Sequence, residues 1–168
     1  MRTRAIGLSL LAVGLAVIVQ TTLLAQVTIF EVAPDLVMLM VIAVARRLDA
    51  EPAVLLGFTA GLLMDLLGSS PLGLRALVLT VIAYATVRTR DRFDINVLAT
   101  GLAVLLLSLL GVVLMVVIGT LFGEASFRDP FVFRKILLIP AYNLVLAFGI
   151  FPLTTLVLVG RRRRDLVL

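Results

Sequence analysis

The chain has 168 residues, 62% of them hydrophobic, and a mean hydropathy of +1.21. A soluble domain carries an apolar share of roughly 45–50%, so this composition excludes one and marks an integral membrane protein. There is no Cys and no His, which removes thiol nucleophiles, imidazole bases and the common soft metal sites; the net charge of +5 comes without the aromatic and basic interleaving of a nucleic-acid surface.

In chain order, Arg2 and Arg4 precede an apolar run that spans approximately 5–26. A secretory h-region covers about 7–15 residues and ends at a small-x-small cleavage site. This run is longer and no clean site follows it, so a retained first membrane span is expected, with Gln20, Thr21 and Thr22 in its outer half for helix-to-helix hydrogen bonds or a pocket lining. Pro34 and Asp35 open a second run over 34–45, short for a crossing; Pro34 suits a first helical turn and Asp35 the positive end of the helix dipole. After the charged loop Arg46, Arg47, Asp49 and Glu51, Pro52 starts a third run, 53–67. Gly68-Ser69-Ser70-Pro71 turns the chain into a fourth, 72–87, so spans three and four are expected to form a hairpin. Each holds about 16 apolar residues, roughly 24 Å of helix, against a hydrocarbon core of roughly 30 Å.

Arg88, Arg90 and Arg92, interspersed with Asp91 and Asp94, make the next loop. The fifth run, 95–123, is the longest and sets Gly111, Met115, Gly119 and Gly123 on one i, i+4 packing ridge. Between Glu124 and Ile139, Phe127, Phe131 and Phe133 mix with Arg128, Asp129, Arg134 and Lys135. This pattern fits an interfacial segment with rings in lipid and cations at headgroups, or else a binding edge for another protein. The last span, approximately 137–160, is expected to begin around Pro140; it carries the polar Tyr142 and Asn143, and Pro152 predicts a kink. Arg161 to Arg164 follow as an orientation signal or a cytoplasmic contact.

Gly57 to Arg75 is the most informative stretch. At about 100° per residue, Gly57, Gly61, Gly68 and Asp65 share one helix face. One reading makes this face a small-residue seam, Gly57, Gly61 and Gly68 admitting a neighbouring helix while Asp65 caps the helix end. The other has Asp65 lining a partner or ligand site, because a carboxylate within a span costs roughly 2.5–3.5 kcal/mol at the centre and has a specific partner. The two are compatible. Asp65 and Arg75 stand on opposite arms of the hairpin and are expected within pairing distance.

Six spans put Arg2, Arg4, Arg46, Arg47, Arg88, Arg90, Arg92 and Arg161 to Arg164 on the side of the termini, leaving Arg75, Arg128, Arg134 and Lys135 of the fifteen basic residues opposite. Positive charge gathers on the cytoplasmic side, so cytoplasmic termini and an outward-pointing hairpin are expected. No P-loop, serine elbow, HExxH or pair of carboxylates at helical spacing is present, so no catalytic residues, metal or cofactor are expected.

Pro34-Asp35 opening an aliphatic helix, Arg46-Arg47 closing it, and then Gly57, Phe58, Gly61, Asp65, Leu66, Leu67, Ser70, Leu72 and Gly73, with Tyr84 further along, resemble the MreD family of bacterial rod shape-determining membrane proteins. The resemblance implies an all-α bundle of six transmembrane helices in the inner membrane, similar to the S components of energy-coupling-factor transporters. It also implies a non-enzymatic subunit of the cell-elongation machinery that binds MreC and acts indirectly with the MreB filament, a peptidoglycan synthase and a transpeptidase. Asp65, Arg75, Pro34, Asp35, Asn143 and Tyr142 are the candidate partner or cavity residues, with lipid as surrounding medium; Gly57, Gly61, Gly68, Gly111, Gly119 and Gly123 are the candidate packing positions. The S-component likeness keeps a vitamin-type binding subunit as an alternative, from which the chain departs in lacking Trp, His and a clear Ala-x-x-x-Ala docking pattern.

Overall fold

Leu36–Ala45 is aliphatic on every side, with no face to offer water, and in the computed structural model it is the buried axis of the molecule. The structure describes residues 2–24, 32–68, 70–93, 96–124 and 130–159. These form six α-helices and no sheet: α1 (Arg2–Val19, continued by a π-helical turn Gln20–Leu24), α2 (Leu36–Ala45), α3 (Ala50–Leu67), α4 (Leu74–Phe93), α5 (Val97–Leu121) and α6 (Val132–Val159). The short helix α2 packs against all five others. Leu39, Val41, Ile42, Val44 and Ala45 are fully enclosed. Between helices in lipid there is little hydrophobic gain, so close van der Waals packing has to hold such an axis in place.

Three of the helices, Ala50–Leu67, Val97–Leu121 and Val132–Leu156, have the length and apolar composition to cross a membrane. α2 and α4 fall short for separate reasons. α2 has ten residues, about 15 Å of helix; α4 carries Arg88, Arg90 and Arg92 on its own last turns, because it runs on to Phe93 where a loop was expected.

α3 and α4 form the expected hairpin, and glycine sets their separation. A Cβ on Gly61 would run into the backbone of Ala76, and one on Gly57 would lie 2.5 Å from the Leu79 carbonyl oxygen. Where α5 passes α2, a Cβ on Gly111 would run into the Met38 sulfur, the end of a flexible side chain and not a backbone.

Two expectations along α5 and α6 need correction. Gly123 does not extend the packing ridge: it lies past the end of α5 at φ 87°, with open space where its side chain would be. The Gly123 N–H donates to the Thr120 carbonyl and the Glu124 N–H to the Gly119 carbonyl, so Gly123 is the left-handed residue that ends the helix, while Gly119 stays buried within it. Pro140 does not begin the last helix either, since α6 starts at Val132 and holds both Pro140 and Pro152 inside it. The interfacial segment expected over 124–139 is therefore partly the first two turns of α6, and its stretch 125–129 lies outside the described residues, as do Arg161 to Arg164.

Candidate functional site

The carboxylate of Asp65, 2% exposed, sits near the end of α3 and reaches across to the start of α4. Its Oδ2 accepts from the backbone N–H of Gly73 (2.9 Å) and Ala76 (3.2 Å), and its Oδ1 from the Arg75 N–H (3.1 Å) and the Ser70 hydroxyl (3.3 Å). The first N–H groups of a helix have no partner within it and carry the positive end of the dipole. Asp65 thus caps the next helix, not its own. Gly73 permits this: at φ 94° it occupies the third position of a turn closed by the Leu74 N–H on the Pro71 carbonyl, which aims its own N–H at the carboxylate. The expected side-chain pair with Arg75 is replaced by the Arg75 main chain, and the Arg75 Nε is buried with no hydrogen-bond partner among the described residues.

A second cap is built at the start of α2. Asp35 is its N-cap, accepting from the Met38 N–H at 2.9 Å. Pro34 precedes the cap, so it lies outside the first helical turn where it was expected. Gln20, in the π-helical turn that continues α1, grips both sides of that cap. Its amide nitrogen donates to the Pro34 carbonyl (3.1 Å) and its oxygen accepts from the Leu36 N–H (2.7 Å). Thr21 and Thr22 bond back to Val17 and Ile18 of their own helix.

Both caps border a cavity of about 510 Å³ at the end of the bundle where α2, α4 and α6 begin and α3 and α5 end. Asp35, Arg75, Glu124 and Lys135 bring charge to it; Met38, Met64 and Met115 lie among its apolar lining, which includes no aromatic ring among the described residues. Of the six candidate residues, Asp35 and Arg75 line this space, and Asp65 stands behind its wall. Pro34, Tyr142 and Asn143 do not line it. Asn143 is instead fully buried between α5 and α6, its amide donating to the Ser108 hydroxyl at 3.1 Å, and Tyr142 is half-buried on α6. Gly68 ends α3 in an extended conformation and lines the cavity, a different place from the packing seam expected for it. Lys135 was expected only as a headgroup cation of the 124–139 segment, and Glu124 only as its first residue; the cavity brings both beside Arg75.

The opposite end of the bundle gathers the arginines. Arg46, at the C-terminal cap of α2, stacks its guanidinium 4.8 Å from the Phe151 ring; burial and, second, the charge of Arg47 hold it below its ordinary pKa. Arg47 donates to the Thr155 hydroxyl, and Arg90 donates to the Leu48 carbonyl at 2.8 Å. Cations bound to the α2–α3 turn thus tie α4 and α6 to it. Among the described residues no group of three or more Asp or Glu is arranged to hold a metal ion.

Compared with known proteins, the chain matches, over residues 1–157, the family described as rod shape-determining protein MreD. No curated protein and no solved structure matches it.

Proposed function

The chain belongs to the MreD family of rod shape-determining membrane proteins, and from that premise we propose that it is a non-catalytic membrane subunit of the bacterial cell-elongation complex, one that binds an MreC-type protein and through it influences peptidoglycan synthesis. The family match over nearly the whole chain carries this reading. The chemistry of the described residues agrees with it: Asp65, the buried carboxylate of the hairpin, accepts four hydrogen bonds from its own chain. A carboxylate so engaged organises backbone and is poorly placed to act as a general base. The same proposal puts the protein in the inner membrane as six spans with both termini cytoplasmic. The short α2 fits within such a bundle because five helices shield it from lipid, and the Arg46, Arg47 and Arg90 end then faces the cytoplasm. Contacts with MreB, the synthase and the transpeptidase are indirect in this arrangement.

Extraction in mild detergent followed by affinity capture tests the proposal: an MreC-type protein is expected to copurify. Purification of the chain alone, with a vitamin bound in stoichiometric amount, would favour the S-component reading, which the 510 Å³ cavity supports. The lining argues against that reading, because flat heterocycles are commonly held between aromatic rings and none lines this space among the described residues.

A further inference from the structure

The cavity brings two chemistries together. Met38, Met64, Met115, Val78 and Ile139 make one part of its lining apolar, and thioether side chains repack readily around guests of irregular shape. Arg75 and Lys135 bring cations to the same space. Asp35, also on the border, accepts from the Met38 N–H as a helix cap, and Asp65 is engaged by Ser70 and the start of α4. Glu124 lines the same space, yet none of these carboxylates accepts from the Arg75 Nε. That Nε is buried without a hydrogen-bond partner among the described residues, although a buried donor left unpaired is costly, the more so when it is charged. A phosphate, like a carboxylate, presents oxygens that match the guanidinium fork, and phosphate is the anionic group that membrane amphiphiles commonly carry.

We propose that this cavity binds a phosphate-bearing amphiphile of the membrane, with the phosphate on Arg75 and Lys135 and the first part of an acyl chain against the methionine wall. A volume of about 510 Å³ holds a headgroup and the start of a chain, not a whole lipid, and lies within the roughly 300–1,000 Å³ typical of ligand pockets. Three helices of the chain have the length and apolar composition to cross a membrane, so the amphiphiles at hand are those of the surrounding bilayer. The proposal needs the cavity alone and stands whether or not an MreC-type partner binds.

Native mass spectrometry of the full chain in detergent tests it, with dioleoylphosphatidylglycerol, dioleoylglycerol and sodium phosphate as probes. The phosphatidylglycerol adduct is expected to survive detergent removal while the dioleoylglycerol adduct is about tenfold weaker, with millimolar phosphate unable to displace the lipid. Arg75→Gln is expected to lower phosphatidylglycerol occupancy about tenfold and Arg75→Lys to restore part of it. Met115→Trp, which fills the apolar part and leaves Arg75 in place, is expected to lower it comparably, whereas Arg88→Gln, at an exposed cation near the other end of α4, leaves it unchanged. Wild-type occupancy in both Arg75→Gln and Met115→Trp would overturn the proposal, as would equal binding of dioleoylglycerol. Full displacement by phosphate would reduce the site to one for a free anion and overturn it too.

Discussion

Asp65 holds three backbone N–H groups and one hydroxyl, all supplied by residues 70 to 76 of its own chain. Replacing it by Ala strands those donors in a buried place, and the loss of a helix cap together with unpaired N–H groups is expected to cost about 3 kcal/mol. Asp65→Asn keeps one acceptor oxygen and is expected to lose about half as much. Thermal or denaturant unfolding in detergent checks both. Because Arg75 meets Asp65 through its main chain, the double reversal Asp65→Arg with Arg75→Asp is expected to restore nothing that the single changes remove. Recovery of stability in the double variant would show that the side chains pair. Gln20 makes a comparable prediction at the other cap: Gln20→Leu leaves the Pro34 carbonyl and the Leu36 N–H without the amide. It is expected to cost about 1–2 kcal/mol and to speed hydrogen exchange at Leu36.

At the scale of the element, the α3–α4 hairpin depends on the absence of side chains at two positions. Alanine ordinarily favours a helix over glycine by about 1 kcal/mol. At Gly61 that preference is expected to reverse into a loss of about 1–3 kcal/mol, because the added methyl meets the Ala76 backbone, which cannot swing aside as a flexible side chain does. Gly149 in α6 supplies the contrast. A Cβ there meets nothing within 4 Å, so Gly149→Ala is expected to be neutral or mildly stabilising in the same unfolding assay. The seam was legible in the spacing of Gly57 and Gly61, whereas Gly123 was misplaced by the same rule. Periodicity continues through a helix end without any mark, and the left-handed turn that stops α5 is a backbone event that spacing does not register.

For the whole molecule, the separation of an arginine-bound end from a cavity-bearing end makes orientation testable. The chain has no native cysteine, so single cysteines report cleanly. Leu72→Cys, in the exposed turn of the α3–α4 hairpin, is expected to react with a membrane-impermeant maleimide in intact cells. Ala50→Cys, at the start of α3, is expected to react only after permeabilisation. The opposite pattern would invert the proposed topology and place the cavity in the cytoplasm.

Composition and periodicity alone determined that the chain is a helical membrane protein, where its apolar runs lie, that runs three and four form a hairpin, and which end collects positive charge. These are properties of local side-chain chemistry, and they survive without knowing any neighbour. The tertiary structure decided what the polar residues within those runs do. It set Asp65 on the start of the following helix, Gln20 on the entry to α2, Asn143 on Ser108 and the Arg75 side chain at a cavity. Each of those outcomes depends on which helix stands beside which and at what height, a relation between segments that the order of residues along one segment does not contain.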